Sequence, residues 1–118
     1  MASHIKDQRT TGIATGAIVK NRFVSADGES QKVKQSVAGE VPSGVTPDDA
    51  PNVNDELNYS FAGGVILEAG GAVPVRSPVK PDAMGRAVVA TVGTDHAKAV
   101  ALTEAAAAGD LFEALIIG

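Results

Sequence analysis

Alternating hydrophobic and polar positions mark the clearest element of this chain. Leu57, Tyr59 and Phe61 alternate with polar or small residues between positions 57 and 62. A repeat of two residues is typical of a strand that buries one face and exposes the other. The pattern therefore predicts a half-buried strand here.

Other apolar runs have the length of strands and are separated by glycine and proline. They lie at residues 17–19, 23–24, 31–38, 65–69 and 86–92, with Asp27-Gly28 as a predicted turn. Such segments recur about every 8 to 12 residues, which is typical of a small barrel or sandwich and not of a sheet with crossover helices. We therefore expect a mainly β fold, a small β-barrel or sandwich-like domain with at most one or two short helices.

Two local patterns predict the connections. The pairs Gly63-Gly64 and Gly70-Gly71 bracket residues 65–69 and predict two tight reversals of the chain. Residues 46–49 read Thr-Pro-Asp-Asp, which predicts the start of a helix, because threonine caps unpaired N–H groups, proline suits the first turn and carboxylates favour the positive end of the dipole. Pro51 would end that helix after about one turn.

The C-terminal residues fit two interpretations. Residues 97–108 are rich enough in alanine for a helix, whereas Val100 and Leu102, followed by Gly109-Asp110 and the apolar run 111–117, predict a strand, a turn and a second strand. We favour two strands joined by a loop of small residues, with a helical turn inside the alanine run as the alternative.

The polar start of the chain predicts an arm ahead of the folded domain. Residues 1–12 lack periodicity, so we expect a flexible N-terminal arm that becomes ordered on meeting a partner, and a single β-rich domain over residues 13–118. The formal net charge is −4, yet residues 1–34 hold six of the ten Lys and Arg and three of the fourteen Asp and Glu. A basic arm fits attachment to an acidic surface, and a solvated terminus explains the charge equally well.

The amino-acid composition argues against several classes of function. The chain has no cysteine, so it has no disulfide, thiolate metal site or cysteine nucleophile. His4 and His96 lack further ligands at metal-binding spacing, so we expect no metal and no cofactor. An acidic body with one tyrosine and three phenylalanines offers neither a positive groove nor stacking platforms for nucleic acid. No apolar run suits a signal peptide or a membrane span, so we expect a protein made in a cytoplasm with no membrane partner.

Two clusters hold residue types that are used in catalysis. Asp48 and Asp49 form one cluster, and Thr94-Asp95-His96 forms the other. Adjacent residues point in different directions, and carboxylates at a helix start are explained by the dipole, so local polarity accounts for both. We expect no enzyme and keep hydrolysis by these residues as the alternative.

The hydrophobic residues are mostly small. They make up 44% of the chain, and most of them are alanine and valine. Small side chains bury little area, so at about 25 cal/mol per Å² a lone protomer is marginally stable. We expect assembly with other copies or with a larger surface to supply the missing burial.

The order of small residues along the chain resembles a known family. Ala38-Gly39, Pro42-Ser43-Gly44-Val45-Thr46, Gly85-Arg86-Ala87-Val88, and Ala99-Val100-Ala101-Leu102 followed by Ala106-Ala107-Ala108-Gly109-Asp110-Leu111 are similar to the head decoration, or capsid cement, proteins of tailed bacteriophages. The resemblance covers roughly residues 13–118 and is best at the end of the chain. It departs at Ala72–Val75, where that family suggests a Gly-Asp turn.

The resemblance implies a mostly β homotrimer without catalytic activity. Its place would be the virion, on the outer surface of the expanded head, after synthesis in the host cytoplasm, and its partner would be the major capsid protein, whose subunits it bridges. The candidate capsid-binding residues are the basic side chains Lys6, Arg9, Lys20 and Arg22. The alternative is another β-rich phage interaction protein, in the tail or baseplate or at the host surface.

Overall fold

The computed structural model describes residues 7–28, 31–91 and 97–117, and within them the regular structure is entirely β. The strands are β1 (Gln8–Ala14), β2 (Arg22–Ala26), β3 (Lys32–Gln35), β4 (Gly44–Thr46), β5 (Glu56–Glu68), β6 (Pro78–Pro81), β7 (Ala87–Val89), β8 (Ala99–Ala101) and β9 (Leu111–Ile116). The predicted mainly β barrel is confirmed.

The first half of the chain closes into a small barrel. Its strands follow the order β1-β3-β2-β4-β5, and a further pairing of β1 with β5 closes the ring. The barrel interior is filled by small apolar side chains, namely Ala14, Ile18, Val24, Val33, Ala50 and Leu57, with Tyr59 packed against them. Glycine is required on the wall, because a Cβ atom at Gly44 would overlap the Ser60 carbonyl oxygen.

The second half forms a sheet that is joined to the barrel through β5. The order continues from β5 to β9, β8, β6 and β7. An isolated bridge between Ala69 and Ala87 brings β7 back to the end of β5, and the Gly70 N–H donates to the Ala87 carbonyl at 2.8 Å. The sheet therefore curves until its last strand, β7, approaches its first strand, β5, and the two are joined by this single bridge.

The larger apolar core lies between the barrel and the second sheet. Val65, Leu67 and Phe112 pack there with a group of buried alanines from the sheet, and Phe23 and Val45 join them from barrel strands β2 and β4. The outer face of barrel strands β2 and β4 thus forms one side of this larger core. The two halves of the chain consequently share one hydrophobic interior.

Strand β5 carries both halves, and its partner changes at Gly63. The last residue paired with β1 is Ala62, opposite Gln8, and the first residue paired with β9 is Gly63, opposite Ile116. Gly63 has a φ of 90°, in the left-handed region that favours glycine. The prediction of a chain reversal at Gly63-Gly64 is wrong, because glycine here redirects a continuous strand.

The predicted helix start at residues 46–49 is wrong as well. Thr46 ends strand β4, and its hydroxyl accepts the Asp48 N–H at 3.0 Å and donates to the Asn58 carbonyl at 2.7 Å. The Thr46 hydroxyl therefore accepts a backbone N–H two residues ahead, as a capping residue does, but it does so in a turn and not at the start of a helix. Its own proton is donated to Asn58 of the neighbouring strand β5.

Several shorter segments also differ in extent from the prediction. Residues 17–19 contribute a single bridge, between Ile18 and Ala50. Strand β6, at Pro78–Pro81, lies in a stretch with two prolines for which the sequence pattern predicts no strand. Residues 97–108 contain no helical turn: β8 is followed by a loop whose Ala105 bridges to Val73. The favoured arrangement of two C-terminal strands is confirmed.

Part of the N-terminal arm is paired in the barrel. Residues 8–12 belong to β1, which pairs antiparallel with β5 and parallel with β3. Residues 8–11 expose polar side chains while the backbone of residues 8–12 pairs with β5, so hydrophobic periodicity is missing and did not reveal the strand. Residues 1–6, which include Lys6 and His4, lie outside the described residues.

We predict that Gly63→Ala lowers the free energy of unfolding by about 1 to 2 kcal/mol, because an L-residue is strained at this positive φ. Urea unfolding monitored by circular dichroism measures the change. Gly71→Ala is the matched control, since a Cβ atom there would meet nothing within 4 Å. Equal midpoints for the two variants would contradict the role of Gly63.

Candidate interaction surfaces

The start of β1 is held by a small polar cluster. The Ser60 hydroxyl donates to Asp7 Oδ2, and Arg9 Nε lies 2.6 Å from the same oxygen. The Ser60 hydrogen bond, together with the hydrogen bond and the positive charge of Arg9, keeps the pKa of the Asp7 carboxyl below its ordinary value of 3.8. Arg9, a predicted capsid-binding residue, remains 51% exposed in its side chain and so stays accessible to a partner.

An exposed aromatic side chain lies beside this cluster. Between Gln8 and Arg9 the register on β5 jumps from Ala62 to Ser60, so Phe61 sits in a β-bulge and is 43% exposed. Strict alternation would have pointed Phe61 into the barrel, and no feature of the sequence reveals the bulge. The bulge therefore places a large apolar group on the surface.

The two ends of the described chain meet at this place. Gln8 and Ile116 pair with consecutive residues of β5, Ala62 and Gly63. Ile117, which follows β9, is 38% exposed. The N-terminal edge of the barrel thus combines Arg9, Phe61 and Ile117.

Lys20 lies in a different region, the connection between β1 and β2. Its backbone N–H donates to Asp49 Oδ1 at 2.8 Å, and the neighbouring Val19 N–H donates to Gln35 Oε1 at 2.9 Å. These two bonds fix the backbone of the connection while the Lys20 side chain is exposed.

Arg22 is half-buried at the junction of the two halves. Its Nη2 lies 3.3 Å from Glu68 Oε2, and its Nη1 donates to the Met84 carbonyl at 3.1 Å. Arg86 approaches the same Glu68 oxygen at 3.9 Å and Asp82 at 3.3 Å. The Arg22 guanidinium is therefore committed to contacts within the chain, and only 13% of the side chain is exposed.

The candidate capsid-binding residues are consequently not brought into one cluster. Arg9 pairs opposite Ser60 in the barrel part of β5, whereas Arg22 contacts Glu68 at the other end of the same strand. A charge count along the chain treats these residues alike, because it contains no information about which of them is neutralised in the fold.

The carboxylates considered for catalysis serve as backbone acceptors. Asp48 Oδ2 accepts the Asn58 N–H at 2.9 Å, and Asp49 accepts the Lys20 N–H. The cluster at residues 94–96 lies outside the described residues. Among residues 7–28, 31–91 and 97–117, no group of three or more His, Asp or Glu side chains is placed to hold a metal ion. In the same part of the chain, no helix is long and apolar enough to cross a membrane.

These features define a class of fold: a small closed barrel that shares one long strand with a second, curled sheet. No protein-family model and no curated protein sequence matches the chain. Among solved structures, the chain is similar to the head fiber gp8.5 N base of bacteriophage phi29, with a TM-score of 0.76 and 18% sequence identity. The match covers 95% of this chain and 95% of that one, so the two domains share the whole fold.

We predict that Ser60→Ala raises the pKa of Asp7 toward 3.8, because it removes the hydrogen bond that favours the charged carboxylate. Because the folded-state pKa of Asp7 is lowered, the hydrogen bond stabilises the fold fully at pH values above 3.8, the ordinary pKa. This stabilisation is lost as the pH falls through the lower pKa of the folded state. An NMR titration of the Asp7 carboxyl carbon measures the shift. Arg9→Ala serves as the comparison and should also raise the pKa of Asp7, because it removes a second hydrogen bond and a positive charge beside the carboxylate.

We also predict that Arg22→Ala lowers the free energy of unfolding by about 1 to 3 kcal/mol, because it removes charge-assisted bonds and leaves Glu68 half-buried with a weaker partner. Lys20→Ala, which removes an exposed side chain, should change it by less than about 0.5 kcal/mol. Chemical denaturation of the two variants side by side provides the measurement. A larger loss for Lys20→Ala would refute the junction role of Arg22.

Proposed function

We propose that this protein is a structural component of a tailed-phage virion that binds the outer surface of the expanded head as a homotrimer and stabilises contacts between major capsid protein subunits. The observation that carries the proposal is the similarity of fold, over 95% of both chains, to a domain that serves a phage as the base of its head fiber. The order of small residues in the sequence points independently to phage head proteins.

The use of polar groups within the fold supports a structural role. The described carboxylates that the sequence offered for hydrolysis, Asp48 and Asp49, hold backbone N–H groups of other segments. A carboxylate that accepts such a hydrogen bond holds the backbone of a neighbouring segment in place, which is a structural role. We therefore propose binding, and no catalysis, as the activity of this chain.

The N-terminal edge is the proposed contact with the capsid. The Arg9 guanidinium is paired with Asp7 but half exposed, and Phe61 and Ile117 supply exposed apolar area. Lys6, which precedes Asp7 in the sequence, would add a second positive charge. Aromatic and arginine side chains are the groups that contribute most to protein interfaces. Lys20 stays a prediction as a further contact, and Arg22 would act through the surface that it stabilises.

Trimerisation fits the small cores. In the described part of the chain, the barrel core consists of only six buried apolar residues, four of which are alanine or valine, so association would add buried area that a protomer lacks. Three linked copies also bind a repeating lattice more tightly than one copy with the same contact. A weak site at the N-terminal edge would therefore suffice for stable attachment.

A second candidate function is the base of an appended fibre, at the head, the tail or the host surface. The printed role of the similar phi29 domain, the base of a head fiber, favours it. Immunogold labelling of purified virions distinguishes a position on the head from one on the tail, because a head protein labels the shell, whereas a tail or baseplate protein labels only the tail.

We predict that removing residues 1–6 together with Phe61→Ser weakens binding to undecorated expanded heads at least about tenfold, because it removes charge and apolar area from the contact. Co-sedimentation with the heads measures the binding, and light scattering tests whether the variant keeps its mass. The truncation stops at residue 6, since residues 8–12 are part of the barrel.

Val53→Ser is the matched control, because Val53 is 60% exposed on a loop away from the N-terminal edge. It should bind heads as the unchanged protein does. Full occupancy by the truncated Phe61→Ser variant would exclude the N-terminal edge as the contact.

A further inference from the structure

An apolar sheet face surrounds a buried acid on the second half of the molecule. On β9, Phe112 and Ala114 point into the core, so Glu113 and Leu115 point to the opposite, outer face. Register places Ile66 of β5 beside Glu113, and Val100 of β8 beside Leu115. We call this surface the Glu113 face; its members are Ile66, Val100, Leu102, Leu111, Glu113 and Leu115.

The carboxylate of Glu113 is incompletely satisfied. The residue is 9% exposed, and its Oε1 is buried with no hydrogen-bond partner among the described residues. Leu111, at the edge of the same face, is 56% exposed. Burying a carboxylate among apolar side chains is unfavourable unless a cation or donor compensates it. The Glu113 face therefore has the composition of an interface whose partner brings a positive charge. The sequence already contains the signal, a single acid within the apolar run 111–117.

A turn with the complementary character projects nearby. The Ser77 N–H donates to the Pro74 carbonyl at 3.2 Å, which closes a turn with Val75 and Arg76 at its tip. Val75 is 48% exposed, and Arg76 is exposed without an ion pair among the described residues. The φ of Arg76 is 69°, a conformation that such turns usually reserve for glycine or asparagine. Strained residues of this kind cluster at binding sites.

The turn and the face lie near each other on the same sheet. The Arg76 N–H donates to the Ala101 carbonyl at 2.8 Å, and Ala101 pairs with Ala114, the neighbour of Glu113. The turn therefore lies along the edge of β8 that faces β6, one strand away from Glu113 on β9. A cyclic trimer needs two different patches on each protomer that fit each other on its neighbours.

We propose that the Val75-Arg76 turn of one copy docks on the Glu113 face of the next copy, with the Arg76 guanidinium against the Glu113 carboxylate. This inference rests on the homotrimer of the proposed function and names the surfaces that form it. It leaves the N-terminal edge free for the capsid.

Cysteine cross-linking tests the contact directly, because the natural chain has no cysteine. The double variant Val75→Cys, Leu111→Cys should form disulfides between copies on mild oxidation, giving covalent trimers on a gel without reductant. The control pair Val53→Cys, Leu111→Cys should stay monomeric on the same gel. Disulfides only within one copy, or no disulfide in a protein that light scattering shows to be trimeric, would overturn the proposal.

Substitutions at the turn separate association from folding. Arg76→Gly relieves the positive φ and removes the charge, so we expect the trimer dissociation constant to rise at least about tenfold. At a dilution where both proteins are single copies, its urea midpoint should be unchanged or higher, because the loss of association no longer contributes to the comparison. Arg76→Glu should weaken association further, and combining it with Glu113→Gln should recover part of the loss. Lys20→Glu, the same charge reversal on another exposed cation, should leave the trimer intact.

The outcomes distinguish this inference from the proposed function. If Arg76→Gly and Arg76→Glu remain trimeric while heads are still bound, the docking of the turn is refuted and the proposed function stands. If the unchanged protein is a single copy both in solution and on heads, the trimer itself is refuted. Loss of trimer in Arg76→Glu, with the single copies still folded, supports the docking as stated.

Discussion

The backbone ladder of β5 is the interaction on which the rest of this molecule depends. One strand supplies hydrogen bonds to β1 and β4 in the barrel and then to β9 in the second sheet. A single glycine with positive φ lets the strand change direction without ending. Because neither half has a complete wall without this strand, the barrel and the second sheet form one structural unit.

Side chains at the junction add further contacts between the barrel and the second sheet. Phe23 places its side chain in the shared core while its N–H donates to the Gly85 carbonyl at 2.9 Å, and Arg22 reaches across to Glu68 and the Met84 carbonyl. These contacts join the β6–β7 turn to the barrel. A chain that has few bulky residues thus obtains its stability by using the same barrel wall for two cores.

The surface divides into regions with different chemistry. The N-terminal edge combines an exposed arginine with an aromatic side chain in a bulge, whereas the Glu113 face is apolar around an acid and lies next to an exposed, strained arginine turn. Two separate regions are what a protein needs if it associates with its own copies and with a lattice at the same time. In the assembly that we propose, the first region binds the capsid and the second forms the contacts between copies.

Local patterns in the sequence were sufficient to predict that the chain forms strands. Alternation from Leu57 to Phe61, and glycine or proline between apolar runs, reflect preferences that each segment has by itself. The same residues did not reveal that Gly63 continues a strand, that Thr46 ends one, or that Phe61 faces outward. Those outcomes depend on strands that are distant in sequence: β9 receives β5 beyond Gly63, Asn58 accepts from Thr46, and β1 forces the bulge at Phe61. The ion pairing of Arg22 and the burial of Glu113 likewise belong to the tertiary structure, since the free energy of a charge is set by the groups that the fold brings around it.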